Sequence, residues 1–409
     1  MLMIPKLPLS GDSLENKLHL KNLELNSLLE VTEAINANVP EESLYKIFHF
    51  TLIVNLNIKK LALFVLDEEW SCKASYGTSP EIKTKLLSDE ILALKEISRT
   101  EGKIKGFEDF GLVVPIAHKS RILAYVLVGG MKDYEGQTDL SFIQTFSNIV
   151  IVAIENKKLA RKQLEQEAMR KELEIARDVQ QRLFPSKLPD YAELRMYASY
   201  LPALMVGGDY YDYVKLDEDS FLVCIADVSG KGMSAALLMS NFQASLRTLA
   251  RQTHDLKEIV KELNINIKSS AKGDRFITFF GAIFNTAMRT ISYINAGHNP
   301  PVLLFNTGEM HVLEKGTTVL GAFDELPFIE EEKISISAET LLFAYTDGLS
   351  ETSNEADEEF GLDNIRRFVK DNYRNDLKKM HEALFSELNS FKGSKAYPDD
   401  ITFLSCSIA

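Results

Sequence analysis

The feature that most constrains this chain is a long stretch without any helix-breaking residue. Residues 142–183 contain no glycine and no proline, and the next proline is Pro185. A helix over this stretch would be about 60 Å long. Apolar residues recur along it mostly at three- and four-residue steps, with many charged residues between them. The pattern predicts one long helix that links two folded regions.

Two interpretations of this helix remain open. The apolar seam slips between Leu164 and Met169. One interpretation is a solvated linker helix that packs on its own domain. The other, which we favour, is a parallel coiled coil that joins two copies in a homodimer, with a register shift available at the slip.

Length, charge and cysteine content limit the kinds of protein that this chain can be. A chain of 409 residues exceeds what one hydrophobic core organises, so two domains are expected. The 46 Lys and Arg against 59 Asp and Glu give a net charge of −13, which disfavours nucleic acid as a partner. Three widely spaced cysteines indicate core thiols in a reducing compartment. The first ten residues do not fit a signal peptide, and no window is apolar enough for a membrane span, so we expect a cytoplasmic protein.

The N-terminal region mixes predicted helices with strand-like segments. In chain order these are helices at residues 25–36 and after Pro40, a strand at 61–66, a hairpin of 112–116 with 122–128, and the start of the long helix. This order resembles that of a GAF domain over residues 22–156. GAF domains bind small ligands or mediate dimerisation, so the resemblance implies an α/β sensor domain.

The C-terminal region is rich in strands. The segment from Phe184 to Pro189 ends the long helix, so we assign residues 157–185 to the linker and 186–409 to a second domain. Strands are predicted at residues 196–200, 210–215, 221–226, 276–284, 290–294, 302–305, 341–345 and 401–407, and helices at 233–252, 256–271, 363–372 and 377–391. These helices and strands do not alternate regularly. We therefore expect two sheets packed face to face, with helices outside.

Four aspartates carry the chemistry that this region predicts. Asp209, Asp227, Asp347 and Asp399 each lie where a hydrophobic strand meets a turn. Taken singly, each is more readily explained as a turn residue. Together at one sheet edge, their mutual repulsion would require cations between them. Carboxylate oxygens without a competing His or Cys cluster favour Mg²⁺ or Mn²⁺.

These motifs occur in the order of a known family. The matching segments are residues 174–181 with 183–185, 206–212, 226–232, 295–300, 346–348 and 399–402. From residue 173 to 409 the chain resembles the protein phosphatase 2C superfamily. The resemblance is closest to its bacterial branch of stress-response and sporulation phosphatases.

The resemblance implies an α+β fold, an αββα sandwich that holds two Mn²⁺ or Mg²⁺ ions. By position, Asp227 corresponds to the carboxylate that bridges both ions, and the carbonyl of Val228 to a further ligand. Asp347 and Asp399 correspond to ligands of one ion. Asp209 corresponds to a ligand of the other, directly or through water. Asp209 and Asp227 are thus the residues on which catalysis is expected to depend.

The implied activity is hydrolysis of phosphoserine or phosphothreonine on a partner protein of the anti-sigma-factor-antagonist type, under control of the N-terminal sensor. Two metal ions would activate a water and offset phosphate charge. The alternative is a catalytically inactive phosphatase fold that only binds partners. Loss of a metal-site acid would indicate that alternative, and none of the four is missing.

The general acid is not identified by the sequence. Eukaryotic members have a histidine shortly after the bridging aspartate, whereas this chain has Val228 and Ser229 there. A metal-bound water is one candidate for the acid. His298 is another, although a structural role is the favoured interpretation of a loop histidine beside Asn299 and Pro300.

Overall fold

The computed structural model describes residues 11–56, 58–130, 137–191, 193–271, 274–336, 339–374 and 376–408. The predictions made for residues 1–10 and for residue 409 lie outside this part. The chain divides into two compact units, Met1–Glu167 and Ala168–Ala409, and the division falls inside the segment predicted as a linker. In the described part, no helix combines the length and the apolar content needed to cross a bilayer.

The N-terminal unit is built on a five-stranded sheet. Its elements are α1 (Gly11–Asn36), α2 (Glu41–Leu56), β1 (Lys60–Leu66), β2 (Trp70–Tyr76), a 3-10 helix (Pro80–Thr84), α3 (Asp89–Leu92), β3 (Ser98–Arg99), β4 (Leu112–His118), β5 (Arg121–Gly129) and the beginning of α4 (Gln137–Gln181). The strand order is β2-β1-β5-β4-β3. Apolar clusters lie on both faces, one around Phe48 and Phe146 of the helices and one around Phe64 and Phe107.

The predicted helices, strand and hairpin of this unit are all present. The sequence did not predict β2. Its residues are half-exposed, and the pairing of β1 with β2 shifts register at Lys73, so β2 lacks a clean apolar alternation. The long helix starts five residues earlier than predicted and ends two residues earlier.

The C-terminal unit contains two six-stranded sheets. Its elements are β6 (Asp190–Tyr191), β7 (Leu194–Leu201), β8 (Tyr210–Lys215), β9 (Ser220–Val228), α5 (Met233–Gln252), α6 (Leu256–Ala271), β10 (Ile277–Asn285), β11 (Thr290–Ala296), β12 (Val302–Phe305), β13 (Met310–Val312), β14 (Gly316–Thr317), β15 (Glu332–Ser335), β16 (Thr340–Tyr345), α7 (Asp347–Ser350), α8 (Gly361–Asn372), α9 (Leu377–Lys392) and β17 (Ile401–Ile408). One sheet has the order β14-β11-β10-β9-β8, with β15 paired to β11. The other has the order β13-β12-β16-β17-β7-β6.

Three apolar layers stabilise the C-terminal unit, and the two faces of β9 contribute to two of them. Leu222 and Cys224 pack towards α5 and α6, whereas Val223 and Ile225 pack between the two sheets. A strand buried on both faces reads as a continuous apolar run. A third cluster joins the other sheet to α8 and α9. The predicted αββα sandwich is confirmed.

Candidate metal and active site

The fold brings the four predicted aspartates to one place. Asp209 immediately precedes β8, Asp227 is the penultimate residue of β9, Asp347 opens α7, and Asp399 lies two residues before β17. Besides burial, the charges of Asp347, Asp399 and Asp400 all raise the pKa of Asp227, and the charge of Asp227 in turn raises the pKa of Asp209. The four carboxylates therefore lie within electrostatic range of one another.

Asp209 is the most deeply buried of the four. Its side chain is 1% exposed. One of its carboxylate oxygens, Oδ2, accepts hydrogen bonds from the hydroxyls of Thr346 (2.9 Å) and Thr402 (2.6 Å). Burial, followed by the charges of Asp227 and Asp400, raises the pKa of Asp209 well above its ordinary value. The two threonines fix this carboxylate, but they do not neutralise its charge.

Asp227 and Asp347 show the same shortage of nearby positive charge. Burial, then the charge of Asp347, raises the pKa of Asp227 to about 7. Burial, then the charge of Asp399, raises the pKa of Asp347. Repulsion of this kind is relieved when a cation binds between the carboxylates.

Asp400 has a role that the sequence did not indicate. Its carboxylate accepts hydrogen bonds from the backbone N–H groups of Ala203 and Gly208, both at 2.7 Å. A Cβ atom at Gly207 would lie 2.0 Å from the Asp400 carboxylate, and one at Gly208 would lie 2.8 Å from the Val228 carbonyl oxygen. Glycine at both positions therefore lets the loop before Asp209 pass close to Asp400 and to the Val228 carbonyl.

Lys231 supplies one positive charge at the rim of the site. Its ammonium lies 3.0 Å from Oδ2 of Asp399 and also donates to the carbonyl of Pro398. The Lys231 side chain is 45% exposed, so water screens much of this ion pair.

Gln180 is a second residue that the sequence did not single out. It is 5% exposed in the last turn of α4. Its side chain both donates to and accepts from the backbone of Gly207. Four residues later, the ring of Phe184 packs on Tyr200 and Tyr211, with centroids 5.0 Å apart in each case. The end of α4 is therefore attached to the loop that carries Asp209.

His298 lies in the interior. It is 4% exposed, its Nδ1 is 2.9 Å from the hydroxyl of Thr278, and its backbone N–H donates to Asn295. Burial lowers the pKa of His298 to about 3. An imidazole held neutral in this way is a poor proton donor at neutral pH.

The donor set fits hydrated divalent ions. No three His, Cys, Asp or Glu side chains in the described ranges enclose a metal position by themselves. Mg²⁺ commonly keeps several waters and takes only one or two carboxylates from the protein. Buried carboxylates with raised pKa values, together with a backbone carbonyl, provide such a set.

Comparisons with known proteins agree with this geometry. Residues 217–409 match the family described as Stage II sporulation protein E (SpoIIE). The chain is 27% identical to Protein IcfG of Synechocystis sp. over 305 residues, which cover 68% of this chain and 46% of IcfG. It is 31% identical to the phosphoserine phosphatase RsbU of Bacillus subtilis over 191 residues, which cover 46% of this chain and 56% of RsbU. The chain thus spans about half the length of the curated relatives it matches.

A solved structure supports the fold. The SiaA-PP2C domain of Pseudomonas aeruginosa superposes with a TM-score of 0.53 at 20% sequence identity, and the match covers 59% of this chain and 97% of that domain. This likeness concerns the fold alone. Residues 217–409 are thus similar to the SpoIIE family, and the C-terminal unit has the fold of a PP2C domain.

Proposed function

We propose that this protein is a metal-dependent protein serine/threonine phosphatase of the cytoplasm. The observation that carries the proposal is the convergence of Asp209, Asp227, Asp347 and Asp399, in which burial and mutual repulsion raise the carboxyl pKa values of the first three. Four carboxylates close together at one edge of the sandwich repel one another, and bound divalent cations would offset this repulsion.

The residues have distinct proposed roles. Asp227 would hold both Mn²⁺ or Mg²⁺ ions, with the Val228 carbonyl as a further ligand. Asp347 and Asp399 would hold one of the ions, and Asp209 the other, directly or through water. When bound, the ions supply an activated water and offset the charge of the phosphate. Thr346 and Thr402 keep Asp209 oriented, and Asp400 keeps the adjoining glycine loop closed over the Val228 carbonyl.

Cysteine chemistry does not explain the site. Burial raises the pKa of the Cys224 thiol and of the Cys406 thiol, and Cys72 belongs to the N-terminal unit. A buried protonated thiol is a weak nucleophile. This supports hydrolysis without a covalent cysteine intermediate.

We infer that the substrate is a phosphoserine or phosphothreonine on a protein of the anti-sigma-factor-antagonist type. The support is the similarity to RsbU, which is a phosphoserine phosphatase. The net charge of −13 also favours a protein partner over nucleic acid.

Control by the N-terminal unit is part of the proposal. The GAF resemblance suggests a sensor, and the attachment of Gln180 to Gly207 suggests how α4 influences the site. Large apolar side chains on α4 are more than half exposed, namely Leu159, Leu164, Met169, Ile175 and Val179. Such a surface supports a homodimer through the linker helix.

The test is hydrolysis of a phosphorylated anti-sigma-factor antagonist with and without Mn²⁺. We expect metal-dependent release of phosphate by the wild type and a loss of at least about a hundredfold in Asp227→Asn. Asp324→Asn, at a side chain that is 91% exposed, is the matched control. A wild-type protein that binds the phosphoprotein but never hydrolyses it would favour the inactive binding module instead.

A further inference from the structure

The N-terminal unit contains a cavity of about 720 Å³ between α2 and the edge strand β2. The 3-10 helix Pro80–Thr84 contributes Lys83 to its wall. This volume is in the range of small-molecule sites, roughly 300–1,000 Å³. The opposite face of the sheet is filled by the side chains around Phe64 and Phe107.

His49 presents an unsatisfied polar atom at this cavity. The residue lines the wall, and its Nε2 is buried without a hydrogen-bond partner among the described residues. Its ring packs edge-on against Tyr76 at 5.7 Å. A buried nitrogen without a partner destabilises a protein, and nearly all such atoms have one in native structures. Within the described part of the chain, His49 Nε2 therefore lacks a partner, which a polar atom of a bound ligand would supply.

Part of the charge around the cavity is already balanced. Lys73 pairs with Asp67 at 2.5 Å. Lys158 of α4 pairs with Glu41 at 3.1 Å and with the same Asp67. The Tyr45 hydroxyl donates to Glu41 at 3.1 Å. Two acids and two bases therefore cancel within this network.

The charges left over are mainly positive. Lys46 and Lys83 line the cavity, are exposed and have no ion pair within the described ranges, and Glu42 is the one remaining acid of the wall. We propose that the cavity binds a small organic anion, with its carboxylate or phosphate at Lys46 and Lys83 and a polar atom of its body at His49. This inference deepens the proposed sensor role of the N-terminal unit and rests on it.

The network provides a connection from the cavity to the signalling helix. Glu41 and Lys73 belong to the cavity wall, and Lys158 belongs to α4. An anion that contacts Lys73 competes with Asp67 for this ammonium. Asp67 then has Lys158 as its remaining partner, so ligand binding alters the ion pairs that α4 makes inside the N-terminal unit.

The test uses the full chain in the presence of a chelator, so that anions do not bind through metal ions. Calorimetric titrations with adenosine monophosphate, citrate and inorganic phosphate measure affinity, and adenosine serves as the uncharged comparison. We expect at least one organic anion to bind, with adenosine inactive. The double variant Lys46→Met/Lys83→Met should bind about tenfold or more weakly. Lys95→Met, at an exposed lysine outside the cavity, should bind as the wild type does.

His49→Phe separates a ligand role from a structural role. Without ligand, we expect this variant to be as stable as the wild type or more stable, because an unsatisfied nitrogen is removed. Its affinity for the anion should nevertheless fall.

The inference is wrong if none of the three anions binds at millimolar concentration, or if the cavity variants bind like the wild type. Phosphatase activity without anion binding would overturn this inference alone. Anion binding without phosphatase activity would contradict the proposed catalytic function alone.

Discussion

Gln180 donates from Nε2 to the carbonyl oxygen of Gly207 over 2.7 Å, and the N–H of Gly207 donates back to Oε1 of Gln180 over 3.3 Å. The last turn of α4 is thereby hydrogen-bonded to the backbone two residues before Asp209. Because both groups are buried, neither bond can be replaced by bulk water without a local opening of the loop.

Removing this amide should uncouple the helix from the site. Gln180→Ala leaves the buried Gly207 backbone groups unsatisfied, so the Asp209 loop should loosen and the Mn²⁺ concentration for half-maximal activity should rise severalfold. The expected stability loss is about 1–3 kcal/mol. Phosphatase assays across a Mn²⁺ titration measure the first effect and urea unfolding the second. Gln181→Ala, at the exposed neighbour, is the control. Equal metal dependence in both variants would contradict a positioning role for Gln180.

The carboxylate cluster should lower stability when no metal is present. Asp227→Asn removes one of several buried charges that repel one another, so the metal-free variant should melt at a higher temperature than the metal-free wild type. Added Mn²⁺ should then stabilise the wild type, by about 2.7 kcal/mol at a hundredfold excess over its dissociation constant, and the variant much less. Thermal unfolding with and without a chelator measures both. A metal-free variant that melts below the wild type would argue against the repulsion.

His381 should make the protein sensitive to acid. Its ring is 1% exposed, and its nitrogens lie 2.8 Å from the Ser199 hydroxyl and 2.9 Å from the Ser405 hydroxyl. Burial lowers the pKa of His381 from 6.5 to about 3. Between these values the unfolded chain binds a proton that the folded chain does not. The associated stability is therefore present above pH 6.5 and is lost as the pH falls towards 3.

The expected loss is about 1.4 kcal/mol per pH unit. Urea unfolding at pH 7 and pH 5 should show a smaller pH difference in His381→Gln than in the wild type. His19→Gln replaces an exposed ring on α1 and should leave the difference as it is. The same pH difference in His381→Gln and the wild type would show that the ring is protonated in the folded state.

Insertions in α4 test how the helix acts. Each residue added after Leu164 rotates the downstream helix by about 100°. If α4 transmits a rotation, basal activity should vary with the angle that the insertion introduces. The variant with four inserted residues should then have an activity closer to that of the wild type than the variant with two. Activity that is indifferent to every insertion would leave α4 as a passive connection. Light scattering on each variant checks that the oligomeric state has not changed.

The sequence predicted the site residues more readily than their supports. Asp227 and Asp347 are recognisable from the sequence because Asp227 lies near the end of β9 and Asp347 lies two residues after β16, and both strands are almost entirely buried apolar runs. Asp399 and Asp400 are adjacent acids, and nothing in the local pattern separates them. The fold does so, since Asp400 turns inward to two backbone amides and Asp399 faces Lys231.

The other features that the sequence did not predict depend on contacts between residues far apart in the chain. Gln180 is one polar residue in a charged helix, and its significance depends on a loop 27 residues away. The edge strand β2 carries Lys73 at a register shift, so its pattern resembles that of a loop. The cavity beside it is a product of tertiary packing and has no local signature.

The central position of β17 has a consequence for the order in which the protein is made. β17 pairs with β16 on one side and with β7 on the other, and Leu194 of β7 lies opposite Ile408. A ribosome-bound chain that has not yet released residues 399–408 therefore has β7 without β17 and no Asp399 beside Lys231. Pairing across about two hundred residues is slow, while the N-terminal unit can already be folded. The N-terminal unit would thus be complete during translation well before the candidate metal site exists.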